Sequence, residues 1–239
     1  MNGTNPITQA FTELAPSYIK TMDRELIQFW GISYANFVEQ FVKAAAVKPH
    51  DRVLDIATGT AVIPLKLCSM NQRQDQLVGL DITPAMLMQG RKLMSSGGFT
   101  PKIDLVCASA MEMPFEGGIF DVVICALGTH HMNVPKMLQE ARRMLAKKGR
   151  LLITDVGATA FWRSPAGRVV LRLLMWQYGL ANRSARSQAE IEAFKNVRTG
   201  KEWCVLLEEY GFVKVRIDEI KPRLPWFPSG LTLQAEIAT

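Results

Sequence analysis

Cysteine is scarce and scattered: the four in 239 residues, Cys68, Cys107, Cys125 and Cys204, form no CxxC pair. That spacing argues against a zinc site and a disulfide framework, so no metal is expected and the four read as small apolar packing residues. Long apolar runs are also lacking. The stretches 169–171 and 173–176, parted by Arg172, fall far short of the roughly 20 residues that a membrane span requires. No basic-then-apolar leader pattern opens the chain, whose first basic residue is Lys20, and this implies a cytoplasmic protein. Internal repeats, low-complexity tracts and interleaved basic and aromatic residues are missing, so no nucleic-acid partner is expected.

What is present is the material of a globular core. Hydrophobic residues make up 48% and charged residues 21%, which leaves no case for general disorder. The length fits one large domain, or one domain carrying an insertion, better than two domains. A net charge of +6 reads as a solvated basic surface, compatible with anionic partners and with peripheral contact at a membrane surface.

Between residues 51 and 156, short runs dense in Val, Ile and Leu alternate with helix-patterned segments. That is the signature of a doubly wound α/β sheet, buried on both faces. Strands are expected at 52–56, 76–82, 103–108, 120–126 and 150–156, with further candidates at 213–220 and 231–237. Together they make a seven-stranded, mostly parallel, Rossmann-like sheet. Thr83 and Pro84 open one helix, which should stop near Gly97-Gly98; Asn133 and Pro135 open another. The second is expected to run through Arg142, Arg143, Lys147 and Lys148, at the end where the helix dipole favours cations, and to close at Gly149. A helical N-terminal lid at 10–47 and a helical insertion at 159–198, after strand five and over the ligand cleft, complete a single domain of 1–239.

The chemistry concentrates at the ends of the strands. Val53-Leu54-Asp55-Ile56-Ala57-Thr58-Gly59-Thr60-Ala61 runs from a strand into a small-residue turn, where a ligand can approach the backbone closely. A dinucleotide site wants glycines at 57, 59 and 62, but Ala57 and Val62 break the pattern. Asp55 would repel a pyrophosphate and attract a cationic amine. Asp81, 22 residues beyond Gly59, stands where a carboxylate chelates ribose hydroxyls in Rossmann-like sites. A ribose and a positive charge without phosphate at the turn point to S-adenosylmethionine.

These motifs resemble the class I S-adenosylmethionine-dependent methyltransferases, in particular the ubiquinone/menaquinone biosynthesis C-methyltransferase-like branch, over about residues 11–156. The resemblance implies that Asp55, Ala57, Thr58 and Gly59 hold the methionine moiety of the cofactor. By the same token Asp81 holds the ribose, with Ile82 against the adenine. In Ala108-Ser109-Ala110-Met111 relatives often carry an acid at the place of Ser109, so here Ser109 with the backbone of Ala110 or Met111 is left to meet the adenine amine. Ala126 and Leu127, ending the fourth strand, are expected beside the sulfonium. Tyr18 matches an N-terminal tyrosine that packs over the cofactor, although Ile19 follows it in place of the usual acid.

His131 and, less so, His130 stand at the carboxyl edge of the sheet as candidate proton acceptors, against the plainer reading that one packs and the other caps the Asn133 helix. In the insertion, Phe161, Trp162, Met175, Trp176 and Tyr178 offer apolar area for a small hydrophobic acceptor, while Arg168 and Arg172 read as a solvated basic edge. The expected reaction is methyl transfer to carbon or oxygen of a quinol-, phenol- or polyketide-like acceptor. The rival expectations are a protein of the same fold that binds the cofactor without methylating, and a nucleotide-dependent oxidoreductase. Asp55 and Val62 argue against the latter.

Overall fold

The computed structural model of the chain is described over residues 6–70, 76–96, 103–181 and 185–238, with nothing said of the side chains at 174–175 and 177–181. Helices α1 (Pro6–Leu14), α2 (Tyr18–Trp30) and α3 (Tyr34–Ala45) come first, so the N-terminal helical region begins ahead of the expected residue 10. Gly31 stops α2 at a left-handed φ of 74°, its N–H bonding back to the carbonyls of Leu26 and Ile27. Ser33 then caps α3 by accepting from the Asn36 N–H. Tyr34, Phe37, Val38, Phe41, Val42 and Ala45 recur at helical spacing, and all are buried.

The core follows as β1 (Val53–Ile56), α4 (Val62–Met70), β2 (Leu77–Asp81), α5 (Pro84–Ser96), β3 (Ile103–Cys107), β4 (Phe120–Ala126), α6 (Val134–Met144) and β5 (Leu145–Gly157). The insertion supplies α7 (Ala160–Arg163), α8 (Pro165–Ala181) and α9 (Ala185–Ala193). After it come α10 (Gly200–Glu209), β6 (Phe212–Ile220) and β7 (Ser229–Ile237). One seven-stranded sheet runs in the order β3-β2-β1-β4-β5-β7-β6. Neighbours from β3 to β5 are parallel, and β7 runs antiparallel to both β5 and β6.

Alternate side chains of each central strand enter different cores, as the two-residue strand period requires. Leu54, Val123 and Cys125 pack with α6 and α10, while Val53, Val122 and Ile124 pack with α3 and α4. Each fully buried Val, Leu or Phe is worth about 1.5–3 kcal/mol, so the doubly covered sheet is the stable platform of the chain.

The helix expected to reach Gly149 ends instead at Met144, although Asn133 caps its start as expected, accepting from Lys136 N–H at 3.2 Å. Leu145 pairs at once with Phe120, which makes the chain extended there. The register then slips, so that Arg150 faces Val122, and Lys148 turns through a φ of 63°. Lys147 and Lys148 therefore sit on a strand bulge and Gly149 is no helix stop. The expected stop of α5 at Gly97-Gly98 lies outside the described residues.

At its root the insertion is pinned to itself, since Ala158 N–H donates to the Arg198 carbonyl at 2.9 Å. Inside it Trp162 stacks on Phe194, with centroids 4.5 Å apart. α9 packs against α1, which also touches α5, so the N-terminal helices and the insertion close over the same carboxyl edge of the sheet.

Candidate active site

The strand order reverses between β1 and β4, the place where open α/β sheets bind ligands. At that edge the turn after β1 holds three residues in left-handed conformation, Ala57 (φ 55°), Gly59 (φ 55°) and Ala61 (φ 57°), and Leu127 after β4 is a fourth (φ 55°). For a residue with a side chain this conformation costs about 1–2 kcal/mol. Strain gathered at one edge marks a backbone shaped for a ligand.

Asp81 ties the edge together. Its Oδ2 accepts from the Gly59 N–H at 2.9 Å and its Oδ1 from the Thr83 N–H at 2.8 Å. Each oxygen keeps a lone pair, so a ribose diol can still be chelated. Burial raises the Asp81 carboxyl above its usual value, and those two amides offset only part of the rise. Asp55 is buried to 1% exposure, and neither of its oxygens has a hydrogen-bond partner among the described residues. Burial pushes its carboxyl up to about 7; the nearby Thr58 hydroxyl opposes that shift and Asp81 adds to it. An unpaired buried carboxylate is costly, and a cationic amine is the group that would relieve it. The residues therefore fit S-adenosylmethionine.

A cleft at this edge is lined by Tyr18, Ala57, Gly59, Asp81, Ile82, Ala110, Met111, Ala126, Leu127 and His131 among the expected residues. Asp55 and Thr58 stand behind its wall. Ser109 is not on the wall either, for its hydroxyl accepts from the Met111 N–H at 3.2 Å within its own turn. The neighbouring Ala110 and Met111 do line the cleft. Ile7, Phe11, Met86 and Met132 also line the cleft, and nothing in the sequence pattern singled them out; Thr83, expected only as the opening of a helix, lines it too.

A second chamber, about 820 Å³, opens between the N-terminal helices, the insertion and the segment before β7. It shares Phe11, Tyr18, Leu127 and His131 with the cleft, so the two meet at those four side chains. Trp162 lines it, whereas Phe161, Trp176, Arg168 and Arg172 do not. Both arginines are exposed, and Trp176 is 66% exposed. Met175 and Tyr178 fall outside the described side chains. Among the described residues, the charged ones that face the chamber are Arg24, Glu25, Arg186 and Glu190.

The two histidines differ sharply. His130 Nδ1 lies 2.6 Å from Asp155 Oδ1, and Asp155 also accepts from the Thr129 hydroxyl and from the backbone N–H groups of His130 and Val156. Burial works against a charge on His130, but the Asp155 carboxylate and the more distant Glu190 outweigh it and raise the imidazole above its usual value. Burial likewise opposes ionisation of Asp155, and His130 prevails there too, holding the carboxyl low. His131 is the reverse case: burial, then the His130 ring and Arg186, hold it down to about 3, so it is neutral at physiological pH. Its ring meets Phe11 edge-on at 5.1 Å. Geometry thus pairs His130, the lesser of the two sequence candidates, with a buried acid, and sets His131 in the wall of the cleft against Phe11.

Asp155 and Glu190 escaped the sequence reading. Asp155 carried a signal, being the third acid at the carboxyl end of a strand after Asp55 and Asp81. Glu190 carried none. His130, His131 and Glu190 also offer ligand atoms within 4.8 Å of one another, a grouping that cysteine spacing could not foreshadow.

The sheet order, the strained turn and the paired strand-end carboxylates define the class I S-adenosylmethionine-dependent methyltransferases. Within that class the chain belongs to the ubiE/COQ5 methyltransferase family, whose family model matches residues 9–220. The 2-methoxy-6-polyprenyl-1,4-benzoquinol methylase, mitochondrial, of Leishmania donovani is 28% identical over 246 residues, covering 94% of this chain and 82% of that protein. The ubiquinone/menaquinone biosynthesis C-methyltransferase UbiE of Bartonella henselae is 36% identical over 107 residues, 44% of this chain and 41% of its own length. Among solved structures the 4+2 cyclase SpnF superposes with a TM-score of 0.73 at 13% identity, covering 98% of this chain and 95% of that one. That last likeness is of fold alone. No helix among the described residues is long and apolar enough to cross a membrane.

Proposed function

We propose that this chain transfers the methyl group of S-adenosylmethionine to a small hydrophobic hydroxyarene, a phenol or quinol, at carbon or oxygen. The observation that carries the reading is the junction of the two cavities at Phe11, Tyr18, Leu127 and His131, with the His130–Asp155 pair on the acceptor side. When bound, S-adenosylmethionine supplies an electrophilic methyl carbon on a sulfonium.

Asp55 balances the donor's ammonium from behind the turn, and Asp81 orients the ribose. Tyr18 and Phe11 close the junction against water. Alignment of donor and acceptor is worth roughly 7–11 kcal/mol of barrier, more than the roughly 3–5 kcal/mol of a general base. Asp155 fixes Nδ1 of His130 as the protonated nitrogen, which leaves Nε2 as the base. His130 then removes the hydroxyl proton of the acceptor, and the resulting oxyanion activates both the oxygen and the neighbouring ring carbon. Apolar walls from Leu14, Phe29, Trp30 and Phe227 suit a hydrophobic tail. The name of the Leishmania relative, a polyprenyl benzoquinol methylase, supports the same substrate class.

Calorimetric titration with S-adenosylmethionine and S-adenosylhomocysteine, with NAD as control, followed by labelled methyl transfer to a panel of benzoquinols, phenols and amines, tests the reading. Binding of the first two and labelling of hydroxyarenes are expected. Binding of NAD instead, or labelling of amines alone, overturns it.

A further inference from the structure

One acidic group in the second chamber has no part in the transfer described so far. Glu190, on α9, faces the acceptor chamber beside His130, and the two present their polar atoms within 4.8 Å of each other. Arg186, one helical turn earlier, holds its Nε 3.8 Å from Glu190 Oε1 while its terminal nitrogen pairs with Glu25 on α2. The carboxylate is thus positioned by the insertion and steered by a guanidinium. A divalent cation among His130, His131 and Glu190 would meet the charge of that guanidinium, so the grouping suits the handling of protons better than the holding of a metal.

We infer that Glu190 is a second proton acceptor, working on a ring C–H while His130 works on the hydroxyl, when the methyl group goes to ring carbon. This rests on the methyl-transfer reading above. His130 takes the hydroxyl proton. The ring carbon next to that oxygen then attacks the methyl group: a C–C bond forms, the S–CH3 bond breaks, and its electron pair leaves with the sulfur. The attacked carbon now bears both hydrogen and methyl, and the oxygen has become a carbonyl. Glu190 removes that hydrogen as a proton, the C–H pair restores the aromatic ring, and His130 returns its proton to the oxygen. Methylation on oxygen releases only the hydroxyl proton, for which His130 suffices. A second acceptor within 4.8 Å has a task when carbon is the target.

The geometry also fits the acceptor. After attack the hydrogen on the tetrahedral carbon leaves the ring plane on the face away from the methyl group, one bond from the oxygen-bearing carbon, within the span of two bases as close as these.

Glu190→Gln keeps the shape of the side chain and abolishes proton acceptance. The probe is 2-methoxy-6-prenyl-1,4-benzoquinol, with hydrogen or deuterium at its free ring positions, together with S-adenosylmethionine. The wild type should place the methyl on carbon with little isotope effect. Glu190→Gln should bind S-adenosylmethionine as the wild type does, which shows that it is folded, and turn over about 100-fold more slowly, the low end of general-base contributions. It should also acquire a primary deuterium isotope effect, because loss of the ring proton becomes limiting. Glu190→Asp should recover part of the rate. A wild-type product methylated on oxygen, or wild-type turnover by Glu190→Gln without an isotope effect, overturns the role of Glu190 and leaves methyl transfer standing. Failure of the wild type to bind S-adenosylmethionine overturns the underlying reading itself.

Discussion

Nδ1 of His130 and Oδ1 of Asp155 lie 2.6 Å apart, joining the turn after β4 to the end of β5 where those strands pair in parallel. Asp155→Asn keeps the shape but can present its amide to Nδ1, which favours the wrong tautomer for a base at Nε2. Turnover with a benzoquinol acceptor should fall about 10²–10⁴-fold, while affinity for S-adenosylmethionine stays unchanged. Rate and calorimetry on the same preparation check both halves. His131→Ala, by contrast, removes a neutral wall and should raise KM for the acceptor more than it lowers kcat.

The pH profile should follow His130 and not His131. His130 is the base only when deprotonated, and Asp155 raises it above 6.5, so kcat should climb through a midpoint above that value. His131, held down to about 3, is already neutral across the assay range. Loss of the Asp155 charge in Asp155→Asn should move the midpoint downward. A midpoint unmoved in that variant would show that another group sets the profile.

On the proposed reading Asp81→Ala removes the carboxylate that would accept two hydrogen bonds from a ribose, each worth about 1.5–3 kcal/mol. Affinity for S-adenosylmethionine should drop by at least about 100-fold. The Gly59 and Thr83 amides lose their partner in the same variant, so its melting temperature should also fall.

Asp55 trades stability for binding. Its carboxyl is raised from 3.8 to about 7 in the folded chain, so between those values the folded state holds a proton that the unfolded state has released. Stability contributed by this group is therefore lost as pH rises across that window. Asp55→Asn should make the ligand-free protein more stable at pH 8 by about 1–3 kcal/mol, with little gain near pH 4, and should weaken S-adenosylmethionine binding. Thermal melts at both pH values, with and without the ligand, test the sign.

Ala57 stands in left-handed conformation with a φ of 55°. Glycine there removes the steric cost but adds chain entropy to the unfolded state, so Ala57→Gly should stabilise the protein by no more than about 1 kcal/mol. Chemical denaturation measures it.

Much of the cofactor half was written in the chain. Runs of Val, Ile and Leu can be buried on both faces only in a covered parallel sheet, and the turn at 57–61 followed by Asp81 lies within one β-α-β unit. Local order therefore fixed the positions of Gly59 and Asp81. Where the helix after Asn133 ends was not local, because the pairing of Leu145 with Phe120 overrode the helical pattern of 145–148. Ser109 looked like a ligand residue, yet its hydroxyl closes its own turn, a competition that spacing cannot reveal.

By itself the sequence determined the fold class, the family and the strand-end carboxylates, since these follow from short-range pattern and from the regular crossing of βαβ units. Only the tertiary structure decided what surrounds the two histidines. It brought Asp155 from β5 against His130, set Glu190 of a distant helix beside them, and closed α1 over the junction. Burial presses both adjacent histidines down, and the Asp155 carboxylate reverses the shift for His130 alone, because desolvation and neighbouring charge belong to a place in the folded chain and not to a residue type.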